Sequence, residues 1–209
     1  MGEPDWLAGA DERFVAAVDA AVAAGEARCG ARLDYGRACP ACCLGPFPIN
    51  RLDVLRLRRG LADLAAREPA RAEAIVRAAQ EAVRELAPDF PGDAASGRLV
   101  GEVGGRDAFF TRFSRRPCPV LDLASGRCQL YAARPLTCRT FGPPVHLGGQ
   151  DLEACEPCFQ GGADVQAGCR VPLDAEGQED ALLDRLEEGE GDRGETIIAY
   201  ALARPLLKP

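Results

Sequence analysis

Cysteine placement constrains this chain more than any other feature. Ten cysteines fall within 209 residues, at positions 29, 39, 42, 43, 118, 128, 138, 155, 158 and 169. Cys39, Cys42 and Cys43 crowd into "ACPACCLG", and Cys155 and Cys158 bracket "CEPC". Cys118, Cys128 and Cys138 follow one another at intervals of ten inside "RRPCPVLDLASGRCQLYAARPLTCRTFG". Such a set either cross-links an exported protein or holds metal in a reducing compartment. The opening "MGEPDWLAGADERF" starts acidic and lacks the apolar core of a signal peptide. The expected compartment is therefore the cytoplasm, and the expected chemistry is metal ligation.

The Cys-x-x-Cys spacing of 39 and 42, and again of 155 and 158, lets two thiolates reach one ion. Cys43 is the awkward member, because adjacent side chains diverge on a helix or strand. The expectation is that it serves a second metal, another iron of one cluster, or nothing. A closed zinc site and a cubane cluster each use four ligands. Cys39, Cys42, Cys43, Cys118, Cys128, Cys138, Cys155 and Cys158 thus suffice for two such sites, and zinc, iron and an iron–sulfur cluster all stay open. Arg115, Arg116, Arg127, Arg134 and Arg139 lie beside these cysteines, where they would offset thiolate charge. Surface charge or an anion pocket are the competing roles for them.

The order of these residues resembles the YkgJ-type cysteine-cluster family, described as a zinc- or iron-chelating domain. The likeness rests on Cys39, Cys42 and Cys43, then Cys118 with Pro119, Cys128 with Tyr131, and finally Arg134, Pro135, Cys138, Arg139 and Phe141. Gly36 stands where that family usually has a further cysteine, and Cys29, seven residues upstream of it, is not taken as a replacement. The resemblance implies metal chelation. It also admits a redox enzyme, or an accessory factor in protein modification, since a similar cluster accompanies flagellin lysine methylases. Such an enzyme would need an open coordination position, with Arg134, Arg139 and His146 as its walls.

Other features narrow the partners. The net charge of −7 argues against general nucleic-acid binding. No apolar run reaches the ~18 residues of a membrane span. No glycine motif follows a strand in the dinucleotide-binding pattern. His146, the single histidine, is expected in an exposed loop more than on a metal. Tyr131 is expected in the core or with its hydroxyl bonded to a ligand sulfur or the backbone. Cys29 and Cys169 read as ordinary thiols.

The expected fold is mainly α, with irregular cysteine-rich loops, short strands and a metal-organised centre inside a helical scaffold. Its organisation is one domain over 1–209, with a cysteine-cluster core at 37–160 and a helical insertion at about 61–90. Helical periodicity predicts helices at about 11–28, 51–67 and 69–86, the second capped by Asn50 and the third opened by Pro69. The charged faces of the second and third are expected in solvent. "LDLASGRCQLY" predicts a hairpin turning at Ser125-Gly126. The stretch 87–105 is read as a Pro/Gly-rich connector, "DAFFTRF" as strand or helix, and 161–178 as loop. Closing helices are expected near 180–188 and 195–204.

Overall fold

The structure, a computed structural model, describes residues 4–34, 40–100, 103–174, 176–190 and 194–203. Its elements in chain order are α1 (Asp5–Cys29), α2 (Arg51–Arg67), α3 (Pro69–Leu86), β1 (Gly92–Asp93), β2 (Arg98–Leu99) and α4 (Val103–Arg112). Then come β3 (Leu121–Asp122), β4 (Arg127–Cys128), α5 (Leu136–Thr140), β5 (Val145–Leu147), β6 (Gln150–Leu152) and α6 (Ala163–Cys169). The series ends with β7 (Val171–Pro172), α7 (Gln178–Glu190) and α8 (Ile198–Ala203). The fold is mainly helical with short strands, as the sequence predicts. Among the described residues no helix is long and apolar enough to cross a membrane.

Two compact units divide the chain: Met1–Cys39 with Leu136–Asp192, and Pro40–Pro135 with Arg193–Pro209. We call them the first and second unit.

In the first unit α1 supplies the organising stripe. Phe14, Val18 and Val22 recur at helical spacing and are buried with Leu136, Val145, Val171 and Leu173. The helix begins six residues earlier than its periodicity suggests, at Asp5, and buries Leu7 and Asp11 as well. Gly30 caps it as expected, its N–H donating to the Glu26 carbonyl. A three-stranded sheet runs β6-β5-β7, with β5 antiparallel to β6 and parallel to β7. The glycine-rich stretch read as loop contains α6 and β7. Gln166 explains part of this, since its side-chain oxygen accepts the Ala154 N–H at 3.0 Å and anchors a helix that seven residues alone would not stabilise.

The second unit is built on α2, α3 and α8. Asn50 caps α2 by accepting the Asp53 N–H at 3.0 Å, and Pro69 opens α3. Leu57, Leu61 and Leu64 of α2 meet Ile75 and Ala79 of α3, Ile198, Ala201 and Leu202 of α8, and Val120 and Leu130. A second cluster gathers Leu86, Phe90, Phe109 and Tyr200, with the Phe90 and Phe109 rings edge to face at 5.7 Å. "DAFFTRF" resolves as helix, forming the end of α4 and the turn after it. The connector carries a short hairpin, with Gly92 paired to Leu99. One charged pair departs from the expected solvated face: Asp53 and Arg56 form an ion pair at 2.8 Å, with side chains only 4% and 3% exposed. Burial of such a pair is tolerated because each charge satisfies the other.

Candidate metal centre

Three separate segments of the second unit carry Cys42, Cys43, Cys118 and Cys128. The first is a 310 turn at Ala41–Cys43, closed by the Cys43 N–H donating to the Pro40 carbonyl at 2.7 Å. The second lies antiparallel to it: the Cys118 N–H donates to the Cys43 carbonyl, and the Gly45 N–H to the Arg116 carbonyl, both at 2.8 Å. The third is β4, paired to β3 with Leu121 opposite Cys128. The hairpin turns where the sequence predicts, the Gly126 N–H reaching the Asp122 carbonyl at 2.8 Å. A Gln129 N–H bond to the Val120 carbonyl, also 2.8 Å, then holds β4 against the chain just past Cys118.

Backbone amides point at the sulfurs. The Val120 N–H favours the charged form of Cys118, and the Leu130 N–H that of Cys128. In both, the amide lies two residues on from the sulfur, and its dipole opposes the rise that burial imposes. The four thiols also lie within one electrostatic neighbourhood. Cys43 feels Cys42, Cys118 and Cys128, and Cys118 and Cys128 each feel Cys42.

The expected divergence of Cys42 and Cys43 does not occur. Their sulfurs are 3.9 Å apart and share a hydrogen bond, the two side chains bending toward each other from neighbouring positions of the 310 turn. That bond, with help from Arg134 and against burial, lowers the Cys42 thiol to about 6. The same bond, with burial and the neighbouring thiols, raises Cys43. Burial pushes Cys118 up to about 12, opposed by the Val120 amide and Arg116. Burial likewise raises Cys128, against the Leu130 amide and Arg134. The cluster thus favours one thiolate among three thiols, and a second negative charge needs a cation beside it.

Arg134 is the arginine that reaches the cluster from the "RPLTC" motif. A 310 turn at Tyr131–Ala133 packs on α2 so closely that a Cβ on Gly60 would stand 2.3 Å from the Ala133 Cβ. Glycine at that position lets the turn dock. Arg134 then bonds the Tyr131 carbonyl at 3.0 Å and stacks 3.6 Å over the Tyr131 ring. Tyr131 itself is 63% exposed, which corrects the expectation of a core position: its ring is a platform for Arg134. Arg116 is largely engaged by Glu85 at 2.9 Å, and Arg115 and Arg127 are exposed.

The remaining expected ligands stand elsewhere. Cys39 lies outside the described residues. Cys138 is buried on α5 in the first unit, beside Arg139, whose Nη1 grips both Asp19 oxygens at 2.8 and 2.6 Å. Cys155 and Cys158 form a tight turn in which the Cys158 and Phe159 N–H groups both donate to the Cys155 carbonyl at 2.9 Å. That turn is tied to the chain after α1, the Asp34 N–H reaching the Cys158 carbonyl and the Gln160 N–H the Arg32 carbonyl, both at 2.8 Å. His146 is exposed, though on strand β5 and not in a loop, and its Nδ1 pairs with Asp151 at 2.6 Å.

Among the described residues, no three His, Cys, Asp or Glu side chains stand close enough to hold a metal ion in their present positions. In donor chemistry the second-unit thiols fit a thiophilic ion. The Cys42–Cys43 separation is near the ~3.8 Å expected of two sulfurs sharing a tetrahedral zinc at ~2.3 Å each. One proximity had no signal in the sequence spacing: Cys29 and Cys169, read as ordinary thiols, lie near enough that one thiol shifts the other.

No curated protein and no solved structure matches this chain. One family does, over residues 36–158, a stretch that takes in every expected ligand and leaves out Cys29 and Cys169. The chain belongs to the CxxCxxCC family, described as "Putative zinc- or iron-chelating domain".

Proposed function

We propose that this protein binds zinc or iron through a thiolate centre assembled on the second unit by Cys42, Cys43, Cys118 and Cys128. Cys39 adjoins that centre in sequence, and Cys138, Cys155 and Cys158 are the further donors of the set. One observation carries this reading. Three separate segments, the first some 75 residues before the others, bring four thiols into one neighbourhood, and backbone amides favour the charged form of two of them.

A bound cation would supply the charge that lets the raised thiols ionise, and would tie the three segments together. The chain's own groups do the rest. The Val120 and Leu130 amides orient Cys118 and Cys128, and Arg134 offsets residual negative charge. The reading requires a reducing compartment such as the cytoplasm, where these thiols would stay available. Zinc and iron both suit a sulfur-rich donor set, and cellular supply selects between them.

Anaerobic purification followed by elemental analysis and an ultraviolet–visible spectrum tests the proposal. At least one tightly bound zinc or iron per chain is expected, with charge-transfer absorption bleached by dithionite if a cluster is present. Fewer than one metal per chain would overturn it.

A further inference from the structure

Cys29 is the last residue of α1 and Cys169 the last of α6, both in the first unit. Both are buried, 3% and 5% exposed, and the Cys169 thiol acts directly on that of Cys29. Packing builds this approach. Gly25 sits one turn before Cys29 on the same helix face. A Cβ on Gly25 would stand 2.0 Å from a Val171 methyl, so α1 lies directly against the strand that follows Cys169. Between them, Arg28 Nη2 donates to the Arg170 carbonyl at 3.3 Å. The last turn of α1 is thereby fastened to residues 169–171.

The environment differs from that of a metal site. Among the described residues the pair is part of no three-donor group, and both cysteines fall outside the family match. Two buried neighbouring thiols with no third donor are suited to a two-electron oxidation that joins them as a disulfide.

We propose that Cys29 and Cys169 form a redox modification site, oxidised to an intramolecular disulfide by a low-molecular-weight disulfide such as oxidised glutathione. One protein thiolate attacks a reagent sulfur, breaking the reagent S–S bond and releasing one reagent thiol. The second protein thiolate attacks the mixed disulfide, forming the Cys29–Cys169 bond and releasing the second reagent thiol. The two thiol protons leave with the released thiols, so the protein loses two electrons and two protons and the reagent gains both. Burial restrains the rate, because the Cys29 thiol is pushed up to about 12 and must be uncovered to react. The product would lock the end of α1 to the end of α6. This inference stands apart from the metal proposal, since it uses none of the same residues.

Full-length protein, metal-loaded as purified, should be equilibrated overnight in glutathione buffers from reduced to oxidised, then acid-quenched, alkylated and digested without reduction. Mass spectrometry is expected to find one cross-linked peptide joining Cys29 to Cys169, growing with the oxidised fraction and reversed by reduced glutathione. It should vanish in both Cys29→Ser and Cys169→Ser, while the wild-type metal content stays unchanged as the link forms. Two alkylated, unlinked thiols at the oxidised end of the series would overturn the proposal. So would links from Cys29 or Cys169 to other cysteines.

Discussion

The two units place the same side chain in contrasting surroundings. In the second, Cys42, Cys43, Cys118 and Cys128 sit on turns and a hairpin whose backbone amides face the sulfurs, with Arg134 beside them. In the first, Cys29 and Cys169 close two helices and have only each other as sulfur partner among the described contacts. Burial raises Cys29 and Cys118 alike, to about 12. What separates them is the local supply of N–H donors and further sulfurs. A buried thiol with amide support and several thiol neighbours is suited to a cation, and an isolated pair is suited to oxidation. Environment, more than spacing, assigns the role.

The sharpest break between the two regions should come from metal removal. A chelator under reducing conditions is expected to expose residues 41–45 and 117–130 to hydrogen exchange by at least tenfold, while the end of α1 keeps its protection. Equal loss in both regions would deny the distinction. Gly60→Val comes next, because its side chain meets Ala133 and would displace the turn before Arg134. Overpacking of this kind costs about 1–3 kcal/mol, to be read by denaturant unfolding, and metal affinity should fall with it. Arg134→Gln should leave folding nearly unchanged and weaken metal binding by about tenfold in chelator competition, as other supporting groups around metal sites do.

The smallest expected effect concerns pH. The fold raises Cys29 from 9.0 to about 12, chiefly by burial. A group whose folded value is raised contributes stability fully below its unfolded value, and loses it as pH climbs toward the folded one. Thermal stability of the first unit should therefore decline between pH 9 and 12, and less so in Cys29→Ser. An identical decline in that variant would point to other groups.

Much of the scaffold was legible. Asn50, the α2 periodicity and Pro69 set the limits of α2 and α3, since caps and apolar stripes are local signals. Ser125-Gly126 marked the β3–β4 turn for the same reason. Tertiary contacts hid the rest. No local pattern announces α6, held as it is by Gln166, or the exposure of Tyr131 under a stacked arginine. The candidate site was legible as a set of residues and not as a grouping. Sequence spacing put Cys42 and Cys43 apart, whereas their sulfurs stand 3.9 Å from each other. It also passed over Cys29 and Cys169, whose meeting depends on how closely Gly25 lets α1 approach β7.

Metal content of paired variants tests the central claim most directly. Cys118→Ser/Cys128→Ser and Cys29→Ser/Cys169→Ser proteins should be purified anaerobically beside the wild type, with circular dichroism to confirm retained helix. The first variant is expected to lose at least one metal equivalent per chain, and the second to match the wild type. Undiminished metal in the first variant, or equal loss in both, would contradict a thiolate centre on the second unit.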